Sequence, residues 1–284
     1  MTERIAQLNG VDLCIDEYGA ASDPALVLVN GAASAMDWFD VGLCELLAAG
    51  GRRVLRYDHR DTGRSTTCPP GEPDYSGADL VGDLAALIED LGSGPAHVAG
   101  LSMGGALAQQ LAMQRPKLFR TLTLMSTTPA VEGVDDLPPM SPDLAAWFGQ
   151  ESPDPDWSDR AAVQQYFIDG QHQFAGDIPV DEHRIREIAG HTFDRSSSIA
   201  SANNHWSIGG TGATFTVDQL RGISMPTLVV HGSTDPFFPL GHGEALAREI
   251  PDARLLTVPG MGHEVPPPET WDLVVPELLA HTDR

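Results

Sequence analysis

A chain of 284 residues, 42% hydrophobic and 20% charged, can bury a sizeable core, which excludes general disorder and fits one large domain with an insertion better than two full-sized domains. Its 40 Asp and Glu against 17 Lys and Arg leave a formal net charge of −23, a surface that repels nucleic-acid phosphates and anionic lipid headgroups, so neither nucleic acid nor membrane is an expected partner. Cys14, Cys44 and Cys68 make no metal-binding pair or disulfide framework, and the opening Met1-Thr2-Glu3-Arg4-Ile5-Ala6 lacks the apolar stretch of a signal peptide. With no run near the roughly 18 apolar residues of a membrane span, a cytoplasmic protein is expected.

The chain opens as a hairpin, with alternating stretches over Glu3–Leu8 and Val11–Tyr18 meeting at Asn9-Gly10, a dipeptide that tolerates the positive φ of a tight turn. Ala25–Val29, Arg53–Tyr57, Ala96–Ala99 and Thr121–Met125 follow as short apolar runs without alternation, the pattern of strands buried on both faces of a parallel sheet. Between them Ala35–Ala49, Ala78–Leu91 and Met103–Arg115 carry apolar residues at helical spacing, and Gly92 closes the second. Near Thr127 the alternation stops; it resumes with strands at Thr227–His231 and Arg254–Val258 and helices around Gly243–Ile250 and Glu269–His281. The pattern predicts an α/β fold: a mostly parallel, eight-stranded, doubly wound sheet over residues 1–128 and 221–284, with an inserted helical cap over residues 129–220.

Within that cap, His172, His183, His191 and His205 have no zinc-site spacing, so no metal is expected, and Gly209-Gly210-Thr211-Gly212 lacks the strand and lysine of a phosphate loop and reads as a turn. Trp147, Phe148, Trp157, Tyr166, Phe167, Phe174 and Trp206 give the cap aromatic surface for its own core or for a pocket.

Gly100-Leu101-Ser102-Met103-Gly104 directly follows a strand and precedes a helix, the setting of a nucleophile elbow. The logic is steric: the sharp turn strains the serine, and flanking glycines let backbone approach without a Cβ in the way. A serine hydroxyl needs a base and the base an orienting carboxylate, in the chain order Ser, Asp, His for this arrangement. Asp235 lies just past the strand ending at His231, and His263 sits in Gly260-Met261-Gly262-His263-Glu264 after the last strand. The strand before the cap ends Ser126-Thr127-Thr128 and offers no acid. Singly these residues have plainer readings as a turn, a helix cap and a surface histidine. Together, in order, each at a strand's C-terminal edge, they make Ser102, His263 and Asp235 a catalytic triad. The oxyanion hole takes the backbone N–H of Met103, after the nucleophile, and of Ala32, in the loop after the third strand. Asp58, Arg60 and Arg64 read as an ion-pair network holding loops, while Phe237 and Phe238, carried by the Asp235 loop, and Trp147 and Trp206 from the cap are candidates for the substrate pocket.

On these residues the chain resembles the α/β-hydrolases with a cap and, more narrowly, the aclacinomycin (anthracycline) methylesterases. The likeness is carried by Ala25–Gly31, by Arg56-Tyr57-Asp58-His59-Arg60-Asp61-Thr62-Gly63-Arg64-Ser65-Thr66-Thr67, by His97–Gly104, and by Gly260-Met261-Gly262-His263 with Leu278-Leu279-Ala280-His281-Thr282. It implies hydrolysis of a methyl or other small-alcohol ester on a bulky cyclic or aromatic small molecule, without a cofactor. Many α/β-hydrolases have His-Gly where this chain has Asn30-Gly31, which leaves Asn30 either reaching into the pocket or only shaping its loop. Cofactor-free haloperoxidases or perhydrolases, lactonases and C–C bond hydrolases share the triad and stay open; a ligand-binding receptor on the same fold is the non-enzymatic alternative.

Overall fold

In the computed structural model, which describes residues 3–150, 154–208 and 214–283, strands β1 (Arg4–Leu8), β2 (Val11–Tyr18), β3 (Ala25–Val29), β4 (Arg53–Tyr57), β5 (Ala96–Leu101), β6 (Phe119–Met125), β7 (Thr227–Gly232) and β8 (Arg254–Val258) form one sheet in the order β1-β2-β4-β3-β5-β6-β7-β8. The hairpin β1–β2 turns at Asn9 and Gly10, both at positive φ, and pairs antiparallel with β4; every later pairing is parallel. The turn read at Gly209–Gly212 lies outside the described residues.

Parallel strands covered on both faces have no solvent side, so every residue of β3 and β5 is buried. The two-residue period then sorts β3 between two cores. Val27 and Val29 pack with Leu80, Leu84, Leu107 and Leu111 from helices α2 (Gly77–Asp90) and α3 (Met103–Gln114). Leu26 and Leu28 pack with Leu43, Leu47, Val274 and Leu278 from α1 (Val41–Ala49) and, near the C-terminus, α9 (Trp271–Thr282). Each fully buried Leu contributes about 1.5–3 kcal/mol by leaving water.

The helix expected over Ala35–Ala49 is broken in two. Met36–Trp38 is a short 3-10 turn, Phe39 is extended, and α1 starts only after Asp40, whose carboxylate accepts the Gly42 N–H at 2.8 Å. An N-cap needs non-helical backbone, so the capping Asp40, following the extended Phe39, keeps the two pieces apart.

The chain runs from β3 outward to β4 and returns to β5 on the other side of β3. That reversal opens a crevice beyond the C-terminal ends of β3 and β5, where ligands of doubly wound sheets bind. Between β6 and β7 lie α4 (Pro142–Phe148), α5 (Arg160–Phe174), α6 (Glu182–Arg195), a 3-10 segment (Ala200–Trp206) and α7 (Val217–Leu220); α8 (Gly241–Glu249) follows β7. Helices α5 and α6 pack on each other, and Ser141, Asp159 and Asp181 cap α4, α5 and α6. No helix among the described residues is long and apolar enough to cross a membrane.

Arg195, at the end of α6 and only 7% exposed, ties this segment down: its guanidinium meets Asp37 at 3.0 Å, Asp58 at 2.7 Å and Glu3 at 3.1 Å. Removing one partner of such a buried pair costs about 3–5 kcal/mol, because the other charge is stranded. Arg60, bidentate on the buried Asp83 at 2.7 and 2.8 Å, is structural in the same way, while the half-exposed Arg64 makes a weaker surface pair with Glu3 at 2.7 Å.

Candidate active site

Ser102 stands between β5 and α3 at φ 51°, ψ −117°, a strained backbone for any residue but glycine. The glycines around it are dictated by contact. A Cβ on Gly100 would lie 2.4 Å from the carbonyl oxygen of Gly104, and one on Gly104 would lie 2.2 Å from that of Val29. Both obstacles are backbone, so neither yields. Ser102 N–H donates to the Met125 carbonyl at 3.0 Å, and Thr127 Oγ1 donates to the Ser102 carbonyl at 2.8 Å, fastening the elbow to the end of β6.

Three strand ends converge on one relay. His263 Nε2 lies 2.9 Å from Ser102 Oγ, and its Nδ1 lies 3.0 Å from Asp235 Oδ2. The other carboxylate oxygen, Asp235 Oδ1, accepts the N–H groups of Phe237 at 2.9 Å and Phe238 at 2.8 Å, which fixes its orientation. A carboxylate so held requires the Nδ1–H tautomer of the imidazole, leaving the Nε2 lone pair toward the serine hydroxyl.

The loop carrying His263 is held from outside the sheet by the end of α5. His263 N–H donates to the Phe174 carbonyl at 2.8 Å, Ile178 N–H to Gly260 at 3.0 Å, and Gln171 Nε2 to Glu264 Oε2 at 2.9 Å. Gly262 is required there, since a Cβ would lie 2.3 Å from Gly176 N and from Phe174 O. Burial pushes the neighbouring Glu264 carboxyl up to about 7, against the pull of the Gly262 N–H.

The loop after β3 reaches the same place: a Cβ on Gly31 would stand 3.4 Å from the Cβ of Ser102, and Ala32 is the next residue along that loop. Met103 is the first residue of α3, where a backbone N–H has no intrahelical partner. Asn30 is buried; its Nδ2 donates to the Ala35 carbonyl at 2.7 Å, and its Oδ1 has no hydrogen-bond partner among the described residues. Loop shaping is therefore what the Asn30 amide visibly does.

Of the aromatic candidates, Phe237 packs on the His263 ring at 4.9 Å, alongside Phe238 at 5.3 Å and Phe174 at 5.9 Å. Trp147 joins this cluster through Phe174 at 6.1 Å and Phe148 at 5.1 Å. Trp206 does not share these contacts and stands 57% exposed. Phe238 stands where its place on the Asp235 loop puts it, whereas Phe174 reaches His263 through tertiary packing, which composition alone does not reveal.

The sequence family described as the alpha/beta hydrolase fold matches residues 24–269. This chain is an α/β hydrolase. It is 29% identical over 287 residues to rhodomycin D methylesterase DnrP of Streptomyces peucetius, covering 94% of this chain and 93% of that one. Rhodomycin D methylesterase DauP of Streptomyces sp. strain C5 is likewise 29% identical over 289 residues, with the same coverage. The resemblance to anthracycline methylesterases thus extends over most of both chains. Among solved α/β hydrolases, 2-hydroxy-6-oxo-6-phenylhexa-2,4-dienoate hydrolase from Rhodococcus sp. strain RHA1 superposes with TM-score 0.74 at 21% identity, covering 100% of each chain, a likeness of fold.

Proposed function

We propose that this α/β hydrolase is a serine esterase, cleaving a carboxylic ester through an acyl-enzyme, and that Ser102, His263 and Asp235 are its triad. The observation that carries the reading is the continuous hydrogen-bonded line Ser102–His263–Asp235 at the crevice of the sheet. His263 Nε2 takes the proton as Ser102 Oγ attacks the ester carbonyl. The negative charge that builds on the carbonyl oxygen is met by the N–H groups of Ala32 and Met103, at the positive end of α3. His263 then protonates the departing alkoxide, and a water, activated by the same imidazole, releases the acid.

For the substrate we infer a methyl or other small-alcohol ester of a bulky cyclic or aromatic acid. Two relatives named as rhodomycin D methylesterases support it, as do the rings of Phe174, Phe237 and Phe238 against His263. Offset or edge-on ring packing adds about 0.5–1.5 kcal/mol per pair beyond burial, so a planar acid is favoured over acetate. Residues 129–220 act as the cap, which supplies part of these walls through Trp147 and Phe174, while Phe237 and Phe238 come from the Asp235 loop. Intact-mass analysis after a fluorophosphonate should find one adduct, on Ser102. A panel of methyl esters should then give higher kcat/KM on polycyclic aromatic acids than on acetate. Labelling elsewhere would overturn the triad, and faster acetate hydrolysis would overturn the substrate class.

A further inference from the structure

The loop that carries Ala32 is irregular, and its next residue, Ala33, sits at φ 55°, a left-handed backbone that costs a non-glycine residue about 1–2 kcal/mol. Something must hold it there. Besides the Asn30 amide already described, two buried imidazoles do so. His59 Nε2 donates to the Asn30 carbonyl at 3.1 Å, and His205 Nδ1 accepts the Ala33 N–H at 2.9 Å. His205 Nε2 faces the Arg60 carbonyl at 2.8 Å. An amide N–H only donates and a carbonyl only accepts, so His205 is neutral with its proton on Nε2. Burial acts in the same direction, holding its pKa below the usual histidine range.

His205 does not belong to the sheet. It comes from the 3-10 segment Ala200–Trp206, which is seated on the loop after β4 by Ser201 Oγ on the Cys68 carbonyl at 2.8 Å, by Asn204 Nδ2 on Asp61 at 2.8 Å and by Gly71 N–H on Asn204 Oδ1 at 2.6 Å. The cap residue is thereby placed to act on a core loop beside the nucleophile.

We propose that His205 is a positioning residue for the oxyanion hole: by accepting the Ala33 N–H it locks the left-handed turn and thus the direction of the adjoining Ala32 N–H, so the hole is complete only when the 3-10 segment is docked. This rests on the esterase reading above, and deepens it by giving the cap a part in the chemistry.

Three substitutions separate the roles of the two ring nitrogens. In His205→Asn the side-chain oxygen falls near the position of Nδ1 and still accepts from Ala33, without reaching Arg60. His205→Gln reaches Arg60 but leaves the Ala33 N–H without its acceptor, and His205→Ala does neither. Removing an oxyanion donor outright costs about 10²–10³ in kcat, so misdirecting one should cost about 10- to 100-fold in His205→Gln and His205→Ala, on a small p-nitrophenyl ester, with KM within about threefold. Inhibition by a boronic acid, which forms a tetrahedral adduct on the serine, should weaken by the same factor. His205→Asn should stay within about fivefold of wild type on both readouts. Equal losses in His205→Asn and His205→Gln, or a loss carried by KM, would overturn the proposal. A variant-free measurement guards against misfolding: imidazole ¹⁵N shifts of the wild-type protein should report the Nε2–H tautomer at His205, and the opposite tautomer overturns the proposal too. A wild-type protein that is neither labelled at Ser102 nor hydrolytic would instead bring down the esterase reading itself.

Discussion

Replacing Asp235 by Asn tests the relay through the one proton that the carboxylate controls. Asp235 Oδ1 accepts two backbone N–H groups, from Phe237 and Phe238, so an asparagine keeps its oxygen on that side and turns its amide NH₂ toward His263 Nδ1. The imidazole must then accept at Nδ1, which moves its own proton to Nε2, 2.9 Å from Ser102 Oγ. The base now presents a donor where a lone pair is needed. The equivalent change in a serine protease lowers kcat about 10⁴-fold with its geometry intact, equivalent to about 5.4 kcal/mol of barrier at 1.36 kcal/mol per tenfold. Steady-state hydrolysis of a p-nitrophenyl ester measures it, with circular dichroism to show that the fold is kept. Asp235→Ala should lose a similar rate but also melt lower, since the Phe237 and Phe238 N–H groups lose their acceptor. A loss under tenfold in Asp235→Asn would mean that the carboxylate does not set the tautomer.

Further outcomes follow from other parts of the structure. Ser102→Gly should abolish hydrolysis yet raise the unfolding free energy by about 1 kcal/mol, because glycine accepts the elbow's positive φ without strain; a lower melting temperature than wild type would contradict the strain. Phe237→Ala should raise KM for a bulky aromatic ester about tenfold, some 1.4 kcal/mol, and spare small acetates; equal effects on both substrates would place the ring outside the binding walls. Because burial lifts the Glu264 carboxyl to about 7, the folded chain keeps a proton there that the unfolded chain releases at about 4.3. Its stabilising contribution is therefore complete below that unfolded value and drains away as pH rises through about 7. Glu264→Gln, which mimics the protonated acid, should melt like wild type at pH 4 and above it at pH 8; parallel melting curves across that range would remove the argument.

The strands, and the meeting of Ser102, His263 and Asp235 at their ends, were legible because their signals are local. A run such as Ala25–Val29 has no polar alternation since both faces of β3 are covered, and Gly100 and Gly104 flank Ser102 since backbone lies where a Cβ would go. The break in the first helix had a local signal as well, the capping aspartate at Asp40, hidden behind continuous apolar spacing. The support of the site had none. Aromatic identity cannot say that Trp206 faces solvent while Phe174 lies on His263, and the histidine spacing that argued against zinc says nothing of His205 reaching a loop 172 residues away. Such contacts exist only once α5 and the 3-10 segment are laid across the sheet's C-terminal edge.

Among the contacts that fasten the helical segment between β6 and β7 are three, the His263 N–H on the Phe174 carbonyl, Arg195 on Asp37 and Asp58, and Asn204 on Asp61. All three lie on loops that follow the strands, on or beside those proposed to carry catalysis, which limits how the proposed esterase can change its diet. Swapping the whole segment for another would cast those loops adrift, so new substrates are reached by altering what stands between the fastenings. Helix α4 makes none of these three ties, but its N-cap Ser141 donates its N–H to the Pro236 carbonyl at 2.8 Å, so the room for sequence drift lies on its exposed face, where Phe148 is half-exposed.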